Sequence, residues 1–198
     1  RQALAEQTGI YGAGSRKLLR AEFNLADLFF AKADYEGAEK IYAERFSLLR
    51  QEFEHTNIDA QFFVLSLSNY ALLRRARGDS VMAEALLREG LALSSQYSLQ
   101  AQRNLMGGFL TLILLDQGKF NEAAERQQDA VTRARSLPTT GKPEVCAALT
   151  LLGSILMEKG DLVGAEANLR EAEMLYRKLY GPNHIAIHDN LRLQAQVS

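Results

Sequence analysis

Apolar residues in this chain recur at helical spacing in paired stretches, and each pair is broken by a small residue and a turn. Leu25, Ala26, Phe29 and Phe30 precede a turn at Ala33 and Asp34, and Tyr35, Ala38, Ile41 and Tyr42 come after it at i, i+3, i+6 and i+7. This spacing predicts two helices, each with one buried face. The plan returns near the other end, with Leu152, Gly153 and Leu156 before Gly160 and Asp161, then Leu162, Ala165 and Leu169. Four times the turn residue is followed five positions on by alanine: Ala33 with Ala38, Gly78 with Ala83, Gly118 with Ala123, Gly160 with Ala165. Successive turn residues lie 45, 40 and 42 apart, a period that marks stacked copies of one supersecondary unit.

The turn chemistry fits helix ends. Glycine adopts a left-handed C-cap without a Cβ penalty, and Asp34, Asp79 and Asp161 stand near the next helix start. The recurring alanines are expected where the two helices of a hairpin cross most closely. Pro138 and Pro143 lead into the fourth unit and Pro182 into the segment after it, so no proline interrupts a helix. Tyr11-Gly12 matches Tyr180-Gly181 at a distance of 169 residues, four periods of about 42. The expected organisation is one array over 1–198. It comprises the second helix of a truncated preceding unit (1–12), repeats at 13–54, 55–97, 98–137 and 138–180, and a truncated following unit (181–198), about ten helices in all.

Composition narrows the function. The 198 residues are 47% hydrophobic and 24% charged, the balance of an ordinary globular chain. A net charge of −1 argues against nucleic acid as a partner, because it supplies no broad attraction to phosphate. No apolar run reaches a membrane span, which argues against a membrane role. Cys146 is the single cysteine, so no intrachain disulfide forms and a reducing cytoplasm is expected. The start at Arg1 reads as a piece of a longer protein.

In these residues the chain resembles the tetratricopeptide repeat (TPR) family, in the long-period variety typified by kinesin light chains. The resemblance rests on Asn24-Leu25-Ala26 with Ala33-Asp34-Tyr35 and Ala38, on Gly78-Asp79 with Ala83, on Gly118-Lys119-Phe120 with Ala123, on Gly160-Asp161-Leu162 with Ala165, and on the joint Leu179-Tyr180-Gly181-Pro182-Asn183-His184. It implies an all-α, right-handed superhelical solenoid of antiparallel helix pairs, with first helices lining a concave face. Arg74, Thr111 and Gln127 depart from the pattern and predict irregular packing in the second and third units.

Alignment on the turn residue gives the inward positions. They are Arg20, Phe23, Asn24, Asp27 and Phe30, then Leu65, Ser68, Asn69, Leu72 and Arg75, then Leu105, Gly108, Phe109, Leu112 and Leu115, and last Ala147, Thr150, Leu151, Ser154 and Met157. In the light-chain variety an asparagine at the site of Asn24 and Asn69 bonds the backbone of an extended peptide, though such an amide can equally be satisfied by its own helix or water. Phe23 and Phe30 are the expected apolar contacts, and Leu112 and Leu115 are expected to pack inside. Chaperone-tail-binding members carry a lysine and asparagine clamp, and Phe23, Ser68, Gly108 and Thr150 stand in its place. Arg20 and Arg75 offer charge to an acidic ligand, while Arg74-Arg75-Ala76-Arg77 also suits a solvated helix end.

Other chemistry is thin. His184 and His188 straddle a joint rather than sharing a helix, Gly12-Ala13-Gly14 has no strand before it, and Cys146 lies in an apolar stretch. No metal or cofactor site emerges. The expected function is a non-catalytic scaffold that binds a peptide or protein segment, as the regulatory arm of a larger protein. Self-association through exposed apolar residues of the third unit and the truncated end faces is the alternative, and membership of an enzyme is a more remote one.

Overall fold

A computed structural model describes residues 16–56, 59–136 and 142–197. They form nine helices and no strand: α1 (Arg16–Ala31), α2 (Tyr35–Thr56), α3 (Ala60–Ala76), α4 (Ser80–Gln96), α5 (Gln100–Asp116), α6 (Phe120–Ser136), α7 (Lys142–Lys159), α8 (Leu162–Tyr180) and α9 (Ile185–Val197). The helix expected over residues 1–12, the Gly12-Ala13-Gly14 segment and Pro138 lie outside the described residues. Among the described residues, no helix is long and apolar enough to cross a membrane.

The hairpin turns share one geometry. Ala33, Gly78, Gly118 and Gly160 all have positive φ, between 57° and 85°. In each, the amide of the following residue returns to the carbonyl five residues back, as in Asp34 to Phe29 (2.9 Å) and Asp161 to Leu156 (2.8 Å). This closure satisfies carbonyls that the helix end leaves open. The next helix is capped by aspartate: Asp34 accepts from the Gly37 amide (2.9 Å), Asp79 from Met82 (3.0 Å) and Asp161 from Gly164 (2.9 Å). At the third turn Lys119 takes the aspartate's place.

The chain divides within α5 into a first unit ending at Ile113 and a second beginning at Leu114. In the first, α1 packs on α2, α2 on α3 and α3 on α4. A Cβ on Gly90 of α4 would fall 1.9 Å from Met106 Cε of α5, so a larger residue there would displace the end of that methionine. An aromatic cluster of Phe23, Tyr42, Phe46, Phe63 and Tyr70 fills the core, with Tyr42 and Tyr70 stacked at 4.7 Å. In the second unit α6 packs on α7, α7 on α8 and α8 on α9. There Gly153 of α7 meets α8 so closely that a Cβ would lie 2.6 Å from Leu169 Cγ. Ala38, Ala83, Ala123 and Ala165 are all fully buried, as helix crossings require.

The three departures from the repeat pattern are each accommodated by polar bonds. Arg74 reaches Glu39 of α2 (2.6 Å) and also pairs with the cap residue Asp79. Thr111 turns its hydroxyl back to the Gly107 carbonyl (3.1 Å). Gln127 is buried and donates to the Ala148 carbonyl of α7 (3.0 Å).

Candidate functional site

The candidate surface is the face that first helices present within each unit. In the first unit α1 brings Arg20 and Asn24 to the surface and leaves Asp27 and Phe30 half-buried, while α3 presents half-buried Leu65, Asn69, Leu72 and Arg75. Asp27 joins the two helices. Its Oδ2 accepts from Asn69 Nδ2 (2.9 Å) and its Oδ1 from the buried Tyr42 hydroxyl of α2 (2.7 Å). Burial, followed by the negative charge and hydrogen bond of Asp27, pushes the Tyr42 phenol well above its usual range, so it stays a donor. Asn69 therefore spends an amide proton inside the fold and keeps its oxygen for other use. Asn24 remains exposed.

Arg20 is held over the Phe62 ring at 4.6 Å and pairs with Asp59 at 3.4 Å, which ties α1 to the start of α3. Alignment on the turn residues does not pick out Phe62. It lies in the first turn of α3, directly beside the core residue Phe63, and the doubled phenylalanine is the only signal it gives. Phe30 packs on Tyr35 across its own hairpin turn at 5.6 Å.

Three expectations for this face are corrected. Phe23, expected to meet ligand, is 1% exposed because Tyr42, Phe46 and Phe62 enclose its ring. Ser68 is likewise 1% exposed, and its Oγ is buried without a hydrogen-bond partner. Leu112 of α5, expected to pack inside, is 39% exposed, beside Leu105 at 46% and an exposed Gly108. The offset from the turn residue names a helix face correctly, but the bulk of the neighbouring helix decides which residue on it is covered.

In the second unit α7 presents exposed Ala147 and half-buried Thr150, Leu151, Ser154 and Met157. Thr150 donates to the Cys146 carbonyl (3.0 Å) and accepts from the fully buried Asn190 of α9 (3.2 Å), so it binds helices together. Asn190 is invisible to pattern reading, since a lone asparagine within a helix carries no sequence signal.

The second helices of the hairpins carry a repeated clamp. Arg50 of α2 grips Glu89 of α4 through both guanidinium nitrogens, one bond at 2.8 Å, and Arg135 of α6 reaches Glu171 of α8 at 2.6 Å. Each arginine lies 17 residues after its hairpin turn residue and each glutamate 11 after its own.

Reactive groups are occupied structurally. Cys146 is fully buried, and burial pushes its thiol up, away from the nucleophilic thiolate. His184 stacks on Tyr180 at 4.4 Å, and its Nδ1 accepts from the Ala186 amide (3.3 Å) as a cap for α9. Among the described residues, no three histidine, cysteine or carboxylate side chains gather as for a metal.

Comparison with known proteins agrees with this architecture. Residues 145–186 match the family model described as tetratricopeptide repeat. No curated protein sequence matches significantly. Among solved structures, BtubC (BKLC) from P. vanneervenii is similar at 18% identity and a TM-score of 0.72, over 99% of this chain and 78% of that one. A kinesin-light-chain-like protein of Podosopora anserina with nearly identical TPR-like repeats is similar at 16% identity and a TM-score of 0.73, over 90% of this chain and 84% of that one. A variant of the same repeats is similar at 17% identity and 0.74 over the same shares. At such identities the likeness speaks for the fold. The chain thus carries a tetratricopeptide repeat at residues 145–186 and is built as the kinesin-light-chain-like repeat proteins are.

Proposed function

We propose that this chain is a non-catalytic scaffold whose first-helix face binds an extended peptide or protein segment. The observation that carries the reading is the α1–α3 face of the first unit. There half-buried Leu65, Leu72 and Phe30 adjoin exposed Asn24 and the uncommitted oxygen of Asn69, so apolar anchors stand beside groups able to read a main chain. Arg20, Asp27, Leu65, Asn69, Leu72 and Arg75 frame the site. Gly108 and Leu112 of α5 extend it in the first unit, and Thr150 and Met157 belong to the corresponding face of α7. Phe23 and Ser68 support it from beneath. The module would serve as the recruiting arm of a larger cytoplasmic protein.

Peptides selected from a displayed library on the parent chain test this reading through their affinity for the Leu65→Asp, Leu72→Asp double variant. Each lost apolar contact is worth about 1.5–3 kcal/mol, so affinity should fall at least roughly tenfold. Unchanged affinity in a double variant of full helicity removes the site. Leu105 at 46% and Leu112 at 39% exposure favour self-association as a second reading, because i and i+7 share one helix face. Sedimentation of the parent and of Leu105→Ser, Leu112→Ser across concentration decides it.

A further inference from the structure

The second unit holds a feature that the peptide-binding face does not use. Between α6 and α8, with α7 beneath, lies an open cleft of about 480 Å³. Three helices each contribute one face: Ala124, Glu125, Gln128 and Asp129 from α6, Leu152 and Leu156 from α7, and Asp161, Gly164 and Asn168 around the start of α8. The volume lies within the range of ligand-holding sites.

Its chemistry is one-sided. The floor is apolar, made by Leu152, Leu156 and Ala124, and the rim carries three carboxylates with no basic side chain among the lining residues. Asn168 spends its Nδ2 on the Gly164 carbonyl (2.7 Å), which leaves its oxygen as an acceptor. Asp161 gives one oxygen to the Gly164 amide and keeps the other. Gly164 has no side chain to close the entrance, and a Cβ there would lie 2.5 Å from Asp161 Oδ2. An occupant must therefore supply hydrogen-bond donors and positive charge at the rim and aliphatic carbon at the floor. Arginine and lysine side chains combine the two, since their stems cover apolar surface while the charged head stays at the edge.

We propose that this cleft is a second binding site, independent of the first-helix face, for a basic side chain of a partner polypeptide. The aliphatic stem rests on Leu152 and Leu156, and the guanidinium or ammonium group meets Glu125, Asp129 and Asp161. The α6 carboxylates sit one turn apart on an exposed face, so they can be changed without disturbing the core.

The test is a methyl and amide NMR titration of the whole chain with acetyl-Arg-Leu-Arg-amide. The same peptide with citrulline in place of arginine, and acetyl-Glu-Leu-Glu-amide, serve as controls. Saturable shifts at the Leu152 and Leu156 methyls and the Gly164 amide are expected with the arginine peptide alone. They should weaken at least roughly fivefold in Glu125→Gln, Asp129→Asn and again on raising salt. Helicity of the double variant by circular dichroism should match the parent. Equal binding of the citrulline or acidic peptide would overturn the proposal. So would arginine-peptide shifts confined to other surfaces, or an affinity untouched by the double substitution.

Discussion

Replacing Asp27 with alanine removes the joint between α1, α2 and α3, and its cost can be built from the parts. The Tyr42 hydroxyl is buried, with the residue only 1% exposed, and its acceptor is Asp27 Oδ1 at 2.7 Å. Orphaning that hydroxyl costs about 1–3 kcal/mol, and loss of the half-buried bond from Asn69 about 1 kcal/mol more. The expected loss is therefore about 2–4 kcal/mol, which for a chain of this size lowers Tm by roughly 5–15 °C. Urea unfolding followed by circular dichroism and tyrosine fluorescence measures it, since the chain contains no tryptophan and coincident transitions would establish two-state behaviour. In a Tyr42→Phe background no hydroxyl remains to be orphaned, so Asp27→Ala should cost only about 1 kcal/mol. Equal costs in the two backgrounds, or a loss below about 0.5 kcal/mol in the parent, would rule out this role for Asp27.

Three further predictions concern a turn, a buried serine and the alkaline titration of Tyr42. Ala33 holds a φ of 57° at a turn where its counterparts are glycine, so Ala33→Gly should raise stability by about 0.5–1 kcal/mol in the same denaturation assay. Ser68→Ala removes a buried hydroxyl that has no partner and should gain up to about 1 kcal/mol, whereas a loss of that size would show that the hydroxyl is bonded. The Tyr42 phenol binds its proton more tightly when folded, so its contribution is complete below the unfolded phenol pKa of about 10 and declines above it by up to about 1.4 kcal/mol per pH unit. Tyr42→Phe should flatten that alkaline decline, leaving the parts owed to Tyr70, Tyr176 and Cys146, which burial also pushes up.

Local signals in the sequence carried the turns well. A glycine or alanine before aspartate names a left-handed residue and an N-cap, and both need only their own neighbours, which is why Gly78-Asp79 and Gly160-Asp161 were legible. Burial on the candidate face was less so. Phe23 and Leu112 both lie on apolar stripes, and the aromatic bulk of Tyr42, Phe46 and Phe62 buries the first while the second stays exposed. The clamps Arg50–Glu89 and Arg135–Glu171 do repeat in register with the turns. Charged residues on second helices carry no hydrophobic signal, however, so the register is visible only when the unit is aligned position by position. At the same two positions of the intervening step the sequence has Ser95 and Asp129, which lack the basic member. The Tyr42–Asp27–Asn69 joint is tertiary: nothing in three separate helices announces that one carboxylate serves two donors.

The most direct test of the scaffold reading is an isotope-filtered NOE spectrum of the chain bound to a library-selected peptide. If the first-helix face is the binding surface, the peptide will show contacts to the Leu65 and Leu72 methyls and to the Asn24 and Asn69 side-chain amides. A tightly bound peptide whose contacts fall on α2 and α4 instead, with none to α1 or α3, would contradict it.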